Sequence, residues 1–270
     1  MSDNKLVKAI KDKGKTIEAE MSFFEHLEAL RWHLIRAAIA ILVFTSVAFY
    51  FHDFITDTVV LGPFHADFWT YRMLCKAGNA LHMEGWCVNK INASLISTEV
   101  AGQFNLLMNA CIMTGVTLGI PYLLYELWRF IKPALHDKEK KAASGFVFYA
   151  SLLFIAGILF GYFIITPLSI RFLAGFTVSS TIQNTFTIDS YLSSVATLTL
   201  GSGIVFELPI LIYILSSFGI LNAPFMRRTR RYAIVIILII AAIITPTPDA
   251  ITMSVVAAPL LLLYDVGIMV

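Results

Sequence analysis

Apolar runs of roughly twenty residues recur along this chain, separated by charged or aromatic connectors, and a helix needs about that length to cross a hydrocarbon core. No water is available there to satisfy an open backbone, so a chain with this pattern is confined to a bundle of membrane helices. The runs are read at 35–51; from polar Gln103, Asn105 and Asn109 through Leu124; at 145–165; and from 189 or 190 to 218. A fifth, 232–244, has 13 residues. That extends about 20 Å against a core of about 30 Å. The sixth, 250–270, is broken by Pro259 and carries Asp265. Short fifth and sixth helices would require a locally thinned bilayer. Composition agrees: 58% of residues are hydrophobic and 14% charged, with a mean hydropathy of +0.77. This points to one polytopic membrane domain rather than a soluble one.

Charge placement orients the bundle. Of 20 Lys and Arg, 16 lie before residue 37, in the 121–141 connector or in the 216–232 connector, and 4 in the intervening loops. The positive-inside rule then puts both termini in the cytoplasm, N-in and C-in. Residues 1–22, with Lys5, Lys8, Lys11, Lys13 and Lys15 against Asp3, Asp12, Glu18 and Glu20, read as a cytoplasmic tail, and 23–270 as the membrane domain. No cleavable signal peptide is expected, because the first apolar run follows more than thirty residues rich in charge. The net charge of +2 gives no nucleic-acid footprint.

Local signals set further expectations. Phe23, Phe24, Leu27, Leu30, Leu34 and Ile35 recur at helical spacing, so an amphipathic helix leads into the first span. Ser97, Thr98 or Glu99 would cap the second span, Asp189 or Ser190 the fourth, and Asp249 the last. Thr166-Pro167 should end the third. Cys75 and Cys87 lie in an outward loop, where they can be bridged or free. No CxxC or Cys/His cluster is present, so neither a metal nor a cofactor is expected, and the six histidines suggest no ligand set.

Glu207 lies well inside the fourth run, beside Pro209. An ionisable side chain there costs a few kcal/mol unless it faces a cavity, water or a partner. It can satisfy backbone groups freed by Pro209, line a polar groove, or act as a proton or substrate site in a secondary transporter. No HExxH motif, P-loop or Ser/His pair accompanies it, so an enzyme is not expected.

Four short motifs carry a family resemblance: HLEALRWHL at 26–34, FIKPALHDKEKK at 130–141, FELP at 206–209 and TPTPD at 245–249. In this order across six spans they resemble TatC, the polytopic core subunit of the twin-arginine protein translocase in the bacterial inner membrane. The resemblance implies an all-α, concave, glove-like bundle of six transmembrane helices. It also implies a receptor for signal peptides with two adjacent arginines, working with single-span TatA and TatB subunits in an oligomeric complex driven by the proton-motive force. Glu139 matches the family's signal-binding glutamate, and Phe130 and Pro63 match family positions near the recognition loop and in the first external loop. The family's second recognition carboxylate corresponds to Ala29, a departure for which Glu28 or Glu25 can substitute. Glu207 corresponds to the polar patch within the bundle. The last two spans, with Asp249, Asp265 and Met253, correspond to the partner-docking region, and Met253 stands where many relatives carry Gln.

Overall fold

The structure is a computed structural model that describes residues 23–80, 82, 87, 90–91, 93–132, 145–179, 181, 183–217, 219, 221–245 and 250–269. The first helix, α1 (Phe23–Tyr50), contains no Gly or Pro across its 28 residues. One of its faces, with Trp32, Ile39, Leu42, Val43 and Val47, is exposed, as suits a side chain set against lipid. The other packs on α3 (Gly102–Ile131). Two glycines permit this approach. A Cβ on Gly115 would lie 2.7 Å from the backbone nitrogen of Thr45, and one on Gly119 would lie 2.5 Å from Ile41 Cγ1. Small residues of this kind let membrane helices bring their backbones together.

Between α1 and α3 the chain is more ordered than a polar loop. A π-helical turn at Phe54–Val60 runs into a 3-10 turn at Gly62–Phe64, followed by α2 (Trp69–Ala80). Strand β1 (Ser94–Ile96) then pairs in parallel with β2 (Thr185–Thr187), Leu95 opposite Phe186. Phenol groups tie these segments to the spans: Tyr162 donates to the Val59 carbonyl at 2.7 Å, Tyr191 to Val60 at 2.8 Å, and Tyr71 to Pro63 and Pro167 at 3.1 and 2.9 Å. Burial pushes the Tyr71 phenol well above its ordinary range, despite the opposing charge of Arg171, so it remains a donor. Pro63 is buried in this clasp. A disulfide joins Cys75 to Cys87, and Cys111 is free and buried.

The third span does not stop at Thr166-Pro167. It continues from α4 (Phe146–Phe160) through a π-helical turn at Gly161–Ile165 into α5 (Thr166–Gly175). Pro167 has no N–H for the carbonyl of Phe163 one turn back, and normally breaks a helix for that reason. Here the wider turn relaxes the crowding, and the Thr70 hydroxyl from α2 donates to the Phe163 carbonyl instead.

The expected caps also differ. Ala101 precedes α3 without a side-chain cap, and the Ser97 hydroxyl donates to the Glu99 carbonyl. The fourth span starts with α6 (Ile188–Phe206), capped by Thr187, whose hydroxyl accepts from the Ser190 N–H. It resumes as α7 (Leu208–Ser217) after a break at Glu207. The last pair is α8 (Ala223–Ile244) and α9 (Ala250–Met269). α8 runs to 22 residues because it takes in the arginine-rich connector ahead of its short apolar stretch, and α9 has 20, close to the run read at 250–270. Ile237, Ala241, Val256, Ala257 and Leu260 bury their shared face together with Ile165 and Leu198.

Among the described residues, four helical stretches are long and apolar enough to cross a membrane: Glu28–Tyr50, Gly102–Ile131, Val147–Gly175 and Ile188–Ser216. Their contacts define two ends. At one, Trp128 and Ala150 pack with Ile131, Val147 and Tyr213, and at the other the phenol clasp holds the loops.

Candidate functional site

At the end where α1 begins and α3 finishes lies a buried carboxylate, Glu126, 1% exposed. Its Oε2 lies 2.5 Å from His33 Nδ1, and its Oε1 accepts a 2.9 Å hydrogen bond from the Tyr122 hydroxyl, one turn earlier on α3. Arg36 approaches Oε2 at 3.9 Å and Arg129 approaches Oε1 at 3.7 Å. The Arg129 guanidinium also lies over the Tyr125 ring, 5.9 Å from its centre. A carboxylate removed from water needs such partners, since a lone buried charge costs several kcal/mol.

Helical spacing explains the convergence. Tyr122, Glu126 and Arg129 fall at i, i+4 and i+7, and His33 and Arg36 at i and i+3, so each set shares one face of its helix. The two helices are antiparallel here, and the close contacts at Gly115 and Gly119 bring these faces together.

Phe130, an expected signal-binding residue, borders this cluster, its ring edge-on to His33 at 6.1 Å. Ala29 lies four residues before His33, on the same face of α1, and is half-buried. Glu28 is exposed. The side chain of Glu25, and Glu139 and Asp249 entirely, lie outside the described residues.

The remaining predicted residues are dispersed. Both carboxylate oxygens of Glu207 are buried at the α6–α7 break, with no hydrogen-bond partner among the described residues. Met253 packs into the apolar face shared by α8 and α9. Asp265 accepts a 2.6 Å bond from Arg230, one-third exposed at the arginine-rich end of α8. Among the described residues no group of three or more His, Cys, Asp or Glu could hold a metal ion.

The family model for "Sec-independent protein translocase protein (TatC)" matches residues 25–259, nearly the whole chain. The chain belongs to the TatC family. The TatC of Blattabacterium sp. subsp. Periplaneta americana is 38% identical over 256 residues, covering 94% of this chain and 96% of that one. The TatC of Koribacter versatilis is 36% identical over 248 residues, covering 92% of this chain and 84% of that one. A crystal structure of the twin arginine translocase receptor TatC superposes with a TM-score of 0.64 at 32% identity, covering 91% of this chain and 97% of that one. A second, in DDM, gives 0.67 at the same identity and covers 98% of that chain. The TatC fold therefore accounts for the helical architecture. As a TatC the chain is a transport subunit of the Sec-independent translocase and a membrane protein with several apolar helices.

The buried pair in this TatC is not evident from either residue's sequence neighbourhood. Glu126 lies within the 121–141 connector and His33 is one of six histidines without ligand spacing, so neither stands out by itself. A usable signal was available: each ionisable residue lies within a turn or two of the same end of its apolar run, on consecutive antiparallel spans.

Proposed function

We propose that this TatC reads twin-arginine signal peptides at its arginine-rich end, and that this end faces the cytoplasm. Six helices cross the membrane as a concave, glove-like bundle with both termini inside. Glu139 in the 121–141 connector is the principal carboxylate. Glu28 and Glu25 on α1 supply negative charge near the position occupied by Ala29, and Phe130 offers an apolar contact. The bound complex recruits TatA- and TatB-type single-span subunits along α8 and α9, with Met253 and Asp265 on α9 and Asp249 in the sequence between the two helices, and several copies assemble for export driven by the proton-motive force.

The observation that carries this reading is the joint between Phe130, His33 and Glu126. It locks the end of α3 to the start of α1, and Trp128 and Ala150 pack the same end of α3 against α4. The helices on either side of the connector that bears Glu139, α3 and α4, are thus packed together, and α3 is joined to α1 at His33. Guanidinium groups are planar and permanently charged, so carboxylates can select Arg over Lys through paired hydrogen bonds. The test is binding of a twin-arginine peptide, its Lys-Lys variant, and the Glu139→Ala protein.

One observation favours a second reading of Glu207. Its buried carboxyl beside Pro209, without a hydrogen-bond partner among the described residues, suits an intramembrane proton or solute site as well as a polar patch facing partner subunits. Solute uptake by the purified protein in vesicles, abolished by Glu207→Ala, would favour the transport site.

A further inference from the structure

The start of α8 carries Arg227, Arg228, Arg230 and Arg231, and the structure divides them. Arg230 bonds Asp265 on α9 at 2.6 Å, and one turn earlier the Tyr264 hydroxyl donates to the Met226 carbonyl at 3.0 Å. These two links fix how α8 is rotated against α9. At about 100° per residue, Arg227, Arg231 and Arg228 then fall within an arc of about 100° on the side away from that contact. All three are exposed, and no described carboxylate pairs with them.

The same face continues in a definite order. Exposed Phe225 and Tyr232 border the arginines, and the Arg231 guanidinium lies 5.8 Å from the centre of the Tyr232 ring. Beyond them, toward the far end of α8, the face becomes purely apolar, with Val235, Ile236, Ile239 and Ile243 each more than half exposed. Guanidiniums, then the amphipathic ring of Tyr232, then branched aliphatics along one helix face match the order of an amphiphile: phosphate, glycerol, acyl chain. A soluble anion would need only the first part of this pattern, and a polybasic partner would be repelled by it.

We propose that this face of α8 is a binding site for an anionic phospholipid. Arg227, Arg228 and Arg231 hold the phosphate, Tyr232 sits at the glycerol level, and the acyl chains lie along Val235 and Ile239. Three guanidiniums outnumber one phosphate, so a diphosphate lipid such as cardiolipin binds better than phosphatidylglycerol. The lipid compensates for the short apolar stretch of α8 by holding its charged turns at the headgroup level. None of this depends on how signal peptides are read.

The test is native mass spectrometry of the purified protein with cardiolipin, phosphatidylglycerol and phosphatidylcholine of matched acyl chains, with thermal unfolding in parallel. The expected result is retention in that order, with about a hundredfold lower cardiolipin retention in the R227Q/R228Q/R231Q protein. R230Q loses its bond to Asp265 and keeps its lipid. Inorganic phosphate at matched phosphate concentration leaves the unfolding temperature unchanged where cardiolipin raises it. If the triple variant does not fold, R228Q alone, facing away from α9, should still lower retention about fivefold. Equal retention of phosphatidylcholine, undiminished cardiolipin on the arginine variants, or stabilisation by inorganic phosphate alone would overturn the proposal.

Discussion

His33 and Glu126, 93 residues apart in sequence, meet at 2.5 Å between Nδ1 and Oε2 and join the first span to the second at the arginine-rich end. Removing either partner affects the helix pair, but not equally. His33→Ala strips a buried carboxylate of its nearest donor and should destabilise by about 3 kcal/mol. Glu126→Gln keeps one acceptor oxygen for His33, and its amide N–H can donate to the Tyr122 hydroxyl, so it should cost about 1 kcal/mol. Thermal unfolding in detergent would rank them, and a costlier Glu126→Gln would contradict the assignment.

The proline in the third span gives a second test. Thr70→Val leaves the Phe163 carbonyl without the donor that replaces the missing Pro167 N–H, at a cost of about 1–2 kcal/mol. In a Pro167→Ala background an N–H becomes available, so the same Thr70→Val change should cost less. A double-mutant cycle measures the difference, and additivity would argue against this compensation.

Packing of α1 on α3 depends on glycine at one depth and not everywhere. Gly115→Ala would place a Cβ 2.7 Å from the Thr45 backbone nitrogen and should destabilise by about 1–3 kcal/mol. Gly175→Ala, where a Cβ meets nothing within 4 Å, is the control and should be near neutral.

The Cys75–Cys87 disulfide closes a short loop in the segment held by the phenol clasp. Losing it should cost about 2–4 kcal/mol through the freedom gained by the unfolded loop. The unfolding temperature should drop with reductant in the natural protein and not in the Cys75→Ser/Cys87→Ser protein. The buried Cys111 should stay unreactive to thiol reagents until unfolding.

What the residues disclosed in advance depended on the range of the interaction. Four apolar spans and the family motifs are local patterns, readable because bilayer thickness dictates length and because short motifs keep their order. The continuation through Thr166-Pro167 was not readable, since a proline stops a helix unless something distant replaces its hydrogen bond, and that donor is Thr70. Thr187 was missed as a cap because Asp189 and Ser190 are equally good cap types close by, and only the extended backbone at Thr187 distinguishes them. The Glu126 site is likewise non-local: neither His33 nor Glu126 is unusual near a span end until the two helices are paired.

In the proposed function, carboxylates at the end where α1 begins and α3 finishes select paired arginines. The most direct measurement is equilibrium binding of a twin-arginine signal peptide and its Lys-Lys counterpart to the purified protein, to Glu139→Ala and to Ala29→Glu. Tighter binding of the arginine peptide is predicted, with about tenfold loss in Glu139→Ala and a gain in Ala29→Glu. Equal affinity for both peptides, unaffected by Glu139→Ala, would contradict the account.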